Sequence, residues 1–200
     1  MDSDEFYRVA LACEAAPDIG CGIRAKPILF ALKACDAIAG AWLSRSGTVI
    51  AVRWKSVSNK DEGLVAAAFI GEQGVRIGKV VDAKEHRLLM ESLALSDGWY
   101  SAAEVDRLSE EEAALIAARI IRRLRAKASL DPSEDTQLER SIAEACKCFL
   151  INESPGTQKA REEGLRKVIL DAGGTWLTAD HYDALEAVLI AGHRPLPNER

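Results

Sequence analysis

The sequence predicts an α+β protein: a βαββαβ module over residues 1–82, followed by an all-helical module over residues 83–200. Two observations carry this expectation. Short runs rich in β-branched, aromatic and other apolar residues alternate with turn residues through the first eighty positions. From Lys84 onward the apolar residues recur at three- and four-residue spacing instead. Charge is also uneven, since residues 1–82 balance ten acids against ten bases and the net −5 falls wholly on the remainder.

The first module reads in order as follows. Phe6–Ala12 (FYRVALA) has strand character, and Glu14–Gly22, with Pro17, Gly20 and Gly22, is a turn-rich loop. Arg24–Ala39 reads as a helix with Pro27 in its first turn and Ile28, Leu32 and Cys35 at helical spacing. Ala41–Leu43 and Thr48–Trp54 are two strands around the turn Ser44–Gly47, the second being rich in β-branched residues. Ser58 is a candidate cap for a helix over Asn59–Ile70, ended by Gly71 and Gly74, and Val75–Val81 is a last strand. This order describes the ferredoxin-like sandwich, a four-stranded antiparallel sheet with two helices on one face.

In the second module helices are expected over Lys84–Leu95, Ser101–Leu108 and Ser109–Ala128. The last of these would start at a Ser109/Glu112 capping box and bury Ala113, Ile116, Ala117, Ile120 and Leu124. A fourth helix begins at Asp131-Pro132, buries Leu138, Ile142, Ala145 and Phe149, and ends at the turn Asn152–Gly156. Leu165, Val168, Ile169 and Ala172 mark a fifth, stopped by Gly173-Gly174, and Thr178–Ala191 is a sixth. The tail from Gly192 should fray. Trp99–Leu108 and Trp176–Leu185 share one pattern of Trp, apolar, Ser/Thr, Ala, then apolar, Asp and Leu. The pattern reads either as two similar helix starts with hydrophobic staples or as a duplication within one bundle.

Composition excludes some classes. A pI near 5.4 gives no general pull toward nucleic acid. No apolar run reaches the length of a membrane span, and the acidic start lacks the pattern of a secretory signal, so a cytoplasmic location is expected. Five cysteines, an odd number, suit reduced thiols better than a disulfide framework.

The residues with most chemical promise are Gly20-Cys21-Gly22-Ile23-Arg24, at the start of the first helix. Cys21, the run Ile28, Ala31 and Leu32, and Trp54 resemble a heavy-metal-associated domain of the copper-chaperone type. That resemblance implies a soft ion such as Cu(I) on thiolates with Cys21 as a metal ligand, but Arg24 stands at the family's second cysteine position. Such an ion wants at least two thiolates, and Cys13, at the end of the first strand, is the second candidate metal ligand nearby. The same loop, with Trp42 and Gly47-Thr48-Val49, also resembles an acylphosphatase. That resemblance implies an anion cradle of Gly20, Gly22 and Arg24, with Arg45 where the family has its water-orienting asparagine.

Elsewhere, Cys146 and Cys148 are two apart and project to different sides of a helix, so they cannot share a metal ion. The basic run Arg119–Lys127, with Arg119, Arg122, Arg123 and Arg125, is a candidate grip for an acidic partner. His86, His181 and His193 have no ligand-spaced neighbours and read as surface residues. These readings point to a non-enzymatic intracellular adaptor or regulator that engages a protein partner and handles or senses a soft metal ion. The alternatives are a small acylphosphatase-like hydrolase or anion-binding module using Arg24, and a protein–protein interaction module without metal.

Overall fold

The computed structural model describes residues 4–69, 76–152 and 157–196. Among them the chain is mixed α/β, with seven α-helices and one five-stranded antiparallel sheet. The chain falls into two compact units, Met1–Cys13 with Pro17–Leu108, and Glu14–Ala16 with Ser109–Arg200. No described helix is long and apolar enough to cross a membrane.

In the first unit β1 (Asp4–Arg8) lies antiparallel to β3 (Val49–Trp54), which lies antiparallel to β2 (Ile38–Ser44). A two-residue β4 (Gly78–Lys79) flanks β1, and β5 (Trp99–Ser101) flanks β2, giving the order β4-β1-β3-β2-β5. The pleat sends alternate side chains to opposite faces. Tyr7, Leu43, Ile50, Val52 and Trp54 meet Ile28, Leu29 and Leu32 of α1 (Gly22–Ala34) and Val65 of α2 (Glu62–Ala68). Phe6, Val49 and Ala51 take the other face, where Leu89, Met90 and Leu93 of α3 (Ala83–Leu95) and Trp99 cover them. The central strands are therefore apolar on both faces, which is why Val49–Ala51 reads as a continuous run rather than an alternation.

The second unit is helical. α4 (Asp106–Arg125) buries Ala113, Ile116, Ala117, Ile120 and Leu124 as its sequence pattern requires. α5 (Pro132–Asn152) packs on α6 (Gln158–Gly174), which packs on α7 (Ala179–Leu189). The α5–α6 approach depends on Gly164, where a methyl group would stand 2.6 Å from the Phe149 ring.

Several expectations are corrected. α1 begins at Gly22 and stops at Ala34, so Pro27 lies inside it, and Ile38–Gly40 belongs to β2. The second helix is a 3-10 turn at Val57–Asn59 and then α2, capped by Asp61, not Ser58. Ile70, Gly71, Gly74, Val75 and the turn residues 153–156 lie outside the described residues. Residues 83–108, expected with the helical half, belong to the sheet unit, because β5 pairs with β2 and α3 covers the sheet. Trp99–Ser101 is thus a strand, and the following helix starts at Asp106, so Ser109 and Glu112 are buried inside α4 rather than capping it. α5 buries Cys146 and Leu150, whereas Ala145 and Phe149 are half-buried, Phe149 on the side that meets Gly164 of α6. The two tryptophan segments begin differently: Trp99 is 6% exposed in a strand and its helix starts only at Asp106, whereas Trp176 is 46% exposed between helices and Thr178 is the N-cap residue of α7, as expected.

Candidate functional site

The loop before α1 is held by backbone bonds. Ala12 and Gly20 form an antiparallel bridge, Cys13 N donates to Ile19 O (2.8 Å), and Cys21 N donates to Leu11 O (2.7 Å). Cys13 therefore stands across from Ile19 and Cys21 across from Leu11. Cys13 is buried, whereas Cys21, the N-cap residue of α1, is half-buried. Gly20 N donates to Arg45 O (2.6 Å) in the β2–β3 turn. Two of the loop's amides are thus committed inside the fold, and Gly22 is buried at the first position of α1. Gly20 answers to close packing: its α-carbon lies against Gly47, whose φ of +70° suits glycine. Arg24 Nη1 lies 3.5 Å from Ala10 O. Among the described residues no group of three or more His, Cys, Asp or Glu side chains is arranged to hold a metal ion.

The basic run serves the helical unit itself. Arg119 donates to His193 O (2.6 Å), and Arg123 donates to Gly192 O (2.5 Å) and Arg194 O (2.6 Å). Arg125 pairs with Asp135, and Arg122 is exposed. The start of the tail, expected to fray, is therefore pinned at three consecutive carbonyls, with Arg194 paired to Glu162 at 2.5 Å. His193, expected at the surface, is half-buried beside a groove of about 470 Å³ lined by Lys159, Glu162, Arg166, Ile190 and Arg194. Burial pushes its pKa down; Glu162 opposes this, and the nearby guanidiniums of Arg194, Arg119 and Arg123 add to it.

Two features escaped the sequence. The first is a carboxylate inside the sheet unit. Glu5 accepts from Tyr7 Oη (2.7 Å) and Trp54 Nε1 (3.1 Å), and pairs with Lys79 (2.9 Å) and Lys60 (3.4 Å). Burial alone would raise its pKa, but the hydrogen bonds from Tyr7 and Lys79 and the charges of Lys79 and Lys60 hold it below the usual carboxylate range. The Tyr7 phenol is pushed far up by burial and by Glu5. With its acceptors filled, this cluster fixes the ends of β1, β3 and β4 and offers no reactive group. The signal was present in the period of two that places Glu5 on the same face as Tyr7. Beside it, Arg53 holds Asp4 in a two-pronged pair (2.7 and 2.8 Å) while lying over the Trp42 ring.

The second feature is the outer side of α3. Val81, Leu88 and Leu95 are 87%, 57% and 79% exposed, although Leu89, Met90 and Leu93 of the same segment meet the sheet. No family model, no curated protein and no solved structure matches the chain.

Proposed function

We propose that this chain is a non-catalytic protein-interaction module, whose first unit is a ferredoxin-like sandwich extended by one strand and one helix. The fold reading is supported by the succession β1-α1-β2-β3-α2-β4 and by the order β4-β1-β3-β2 within the sheet; β5 and α3 are the additions. One observation carries the functional reading: Leu88 and Leu95 line the side of α3 opposite its buried face. Exposed apolar side chains on a folded surface are normally scattered singly, and an ordered row of them marks contact with another macromolecule.

The test is a Leu88→Asp/Leu95→Asp variant returned to the native host. In host extract the natural chain should migrate above monomer size and the variant at monomer size, with the same unfolding midpoint. If both migrate as monomers in extract and the purified natural chain also stays monomeric at every concentration, the interaction reading is wrong.

A second reading is soft-ion binding by Cys13 and Cys21. It is supported by the register of the Ala12–Gly20 bridge, which puts both thiols on one face at diagonal positions, about 7–8 Å apart at Cα in such ladders. Two thiolates suit Cu(I). Competition titration with Cu(I) on Cys13→Ser and Cys21→Ser separates the outcomes: loss of binding in each supports this reading, and unchanged binding in either ends it.

A further inference from the structure

We infer that the outer face of α3 is where two copies of this chain associate, with their α3 helices antiparallel about a two-fold axis at Leu88. This rests on the interaction-module reading and names the partner.

The residues 81, 84, 88, 91 and 95 alternate three- and four-residue steps, the spacing that keeps side chains on one side of a helix. Leu88 and Leu95, seven apart, differ by only about 20° around the axis. They lie opposite Leu89, Met90 and Leu93, and Val81, just before the N-cap Asp82, continues the line. Lys84 and Glu91 fall on the same line, are exposed, and make no ion pair with any described residue.

The line therefore reads apolar, basic, apolar, acidic, apolar: Val81, Lys84, Leu88, Glu91, Leu95. Turned end for end, it becomes its own charge complement. In an antiparallel pair Leu88 meets Leu88 of the second copy, Lys84 stands against Glu91 on either side, and Val81 covers Leu95 at both ends. A parallel pair stacks Lys84 on Lys84 and Glu91 on Glu91, and like charges facing each other are destabilising. A two-fold contact requires a patch that matches itself, and this line does so in one orientation. A helix of thirteen residues is only about 20 Å long. Its face is smaller than the roughly 800 Å² per partner of a standard stable interface, so the dimer is weak and forms with rising concentration.

Sedimentation velocity of the full chain over a concentration series tests this. The natural chain should pass from monomer to dimer, and Leu88→Asp should stay monomeric with an unchanged unfolding midpoint. Lys84→Glu should weaken association about tenfold, as two attractive pairs become repulsive, and adding Glu91→Lys should restore it. In a Cys148→Ser background, Leu88→Cys should oxidise to a disulfide-linked dimer and Leu95→Cys should not. Failure of the charge swap to restore association, or self-linking of Leu95→Cys, overturns the antiparallel pairing. A natural chain that stays monomeric at every concentration overturns the second copy as partner. The host-extract comparison then decides separately whether another protein uses this face.

Discussion

Gly20 and Gly47 meet backbone to backbone: a methyl group on Gly47 would stand 2.6 Å from the Gly20 α-carbon and 2.7 Å from Leu11 O. This contact, with the 2.6 Å bond from Gly20 N to Arg45 O, ties the loop before α1 to the β2–β3 turn. Gly47→Ala adds left-handed strain to a clash and should cost about 2–4 kcal/mol in urea unfolding. Gly78→Ala has open space around it and should stay within about 1 kcal/mol. Equal behaviour of the two variants contradicts the packing account of the glycine-rich loop.

Glu5 gives the sheet unit an acid-sensitive term. Its folded pKa is held below the ordinary value of 4.5, so its contribution is complete above that value and is lost as pH falls through the lower folded value. Unfolding midpoints measured from neutral pH downward should therefore fall off more steeply for the natural chain than for Glu5→Gln. Parallel curves would remove Glu5 from the acid response. Glu5→Leu strands Trp54 Nε1, Tyr7 Oη and Lys79 together and should cost about 3 kcal/mol.

The two cysteines of α5 should differ in reactivity. Burial, with Glu112 nearby, pushes the Cys146 thiol up to about 12, whereas Cys148 is exposed. Alkylation of the native protein at neutral pH, read by mass spectrometry, should mark Cys148 and spare Cys146 until the chain is unfolded. Early labelling of Cys146 would mean that the helical unit opens locally.

His193, beside the arginine clamp on the tail, predicts a second loss of stability on acidification, nearer neutral pH. His193 is held below its ordinary 6.5, so the unfolded chain takes up the proton first as pH drops through that value. The stability contribution is complete above 6.5 and declines as pH falls toward the folded value. His193→Gln should flatten this part of the profile. Arg123→Ala frees two carbonyls and should speed proteolysis of the Gly192–Arg194 segment, while a change at the exposed Lys127, Lys127→Ala, should leave it unchanged. Equal cleavage of both variants would show that the tail is held by something else.

The central strands were legible because Thr48–Trp54 joins β-branched residues to a turn glycine, and both signals act locally. The line from Ala113 to Leu124 was legible because helical periodicity survives burial. β5 was not. Ser101 does bond Glu104 as a helix start would, through its amide (3.2 Å) and hydroxyl (2.7 Å), yet Trp99 and Tyr100 pair with β2, so the helix waits until Asp106. A distant strand overrode a local cap. For the same reason Ile38 and Ala39 left the helix expected over Arg24–Ala39: Ile38 faces Trp54 across the sheet, a partner no local pattern reveals.

Among the candidate sites, the arginines of α4 were recognised as a cluster, but their acceptors are carbonyls some seventy residues away. Gly20, expected in an anion cradle with Gly22 and Arg24, lies against Gly47 of the β2–β3 turn, a contact no local pattern reveals. The outer line of α3 was in the sequence throughout. It stayed hidden because an apolar residue at helical spacing reads as core until the opposite side of the helix is seen to meet the sheet.

Methyl resonances of α3 followed against protein concentration test the interaction face most directly. Those of Leu88 and Leu95 should shift together as concentration rises while buried Leu93 holds still, and Lys84→Glu should suppress the movement. Resonances of Leu88 and Leu95 that stay fixed from dilute to concentrated solution would contradict association of two copies through this helix.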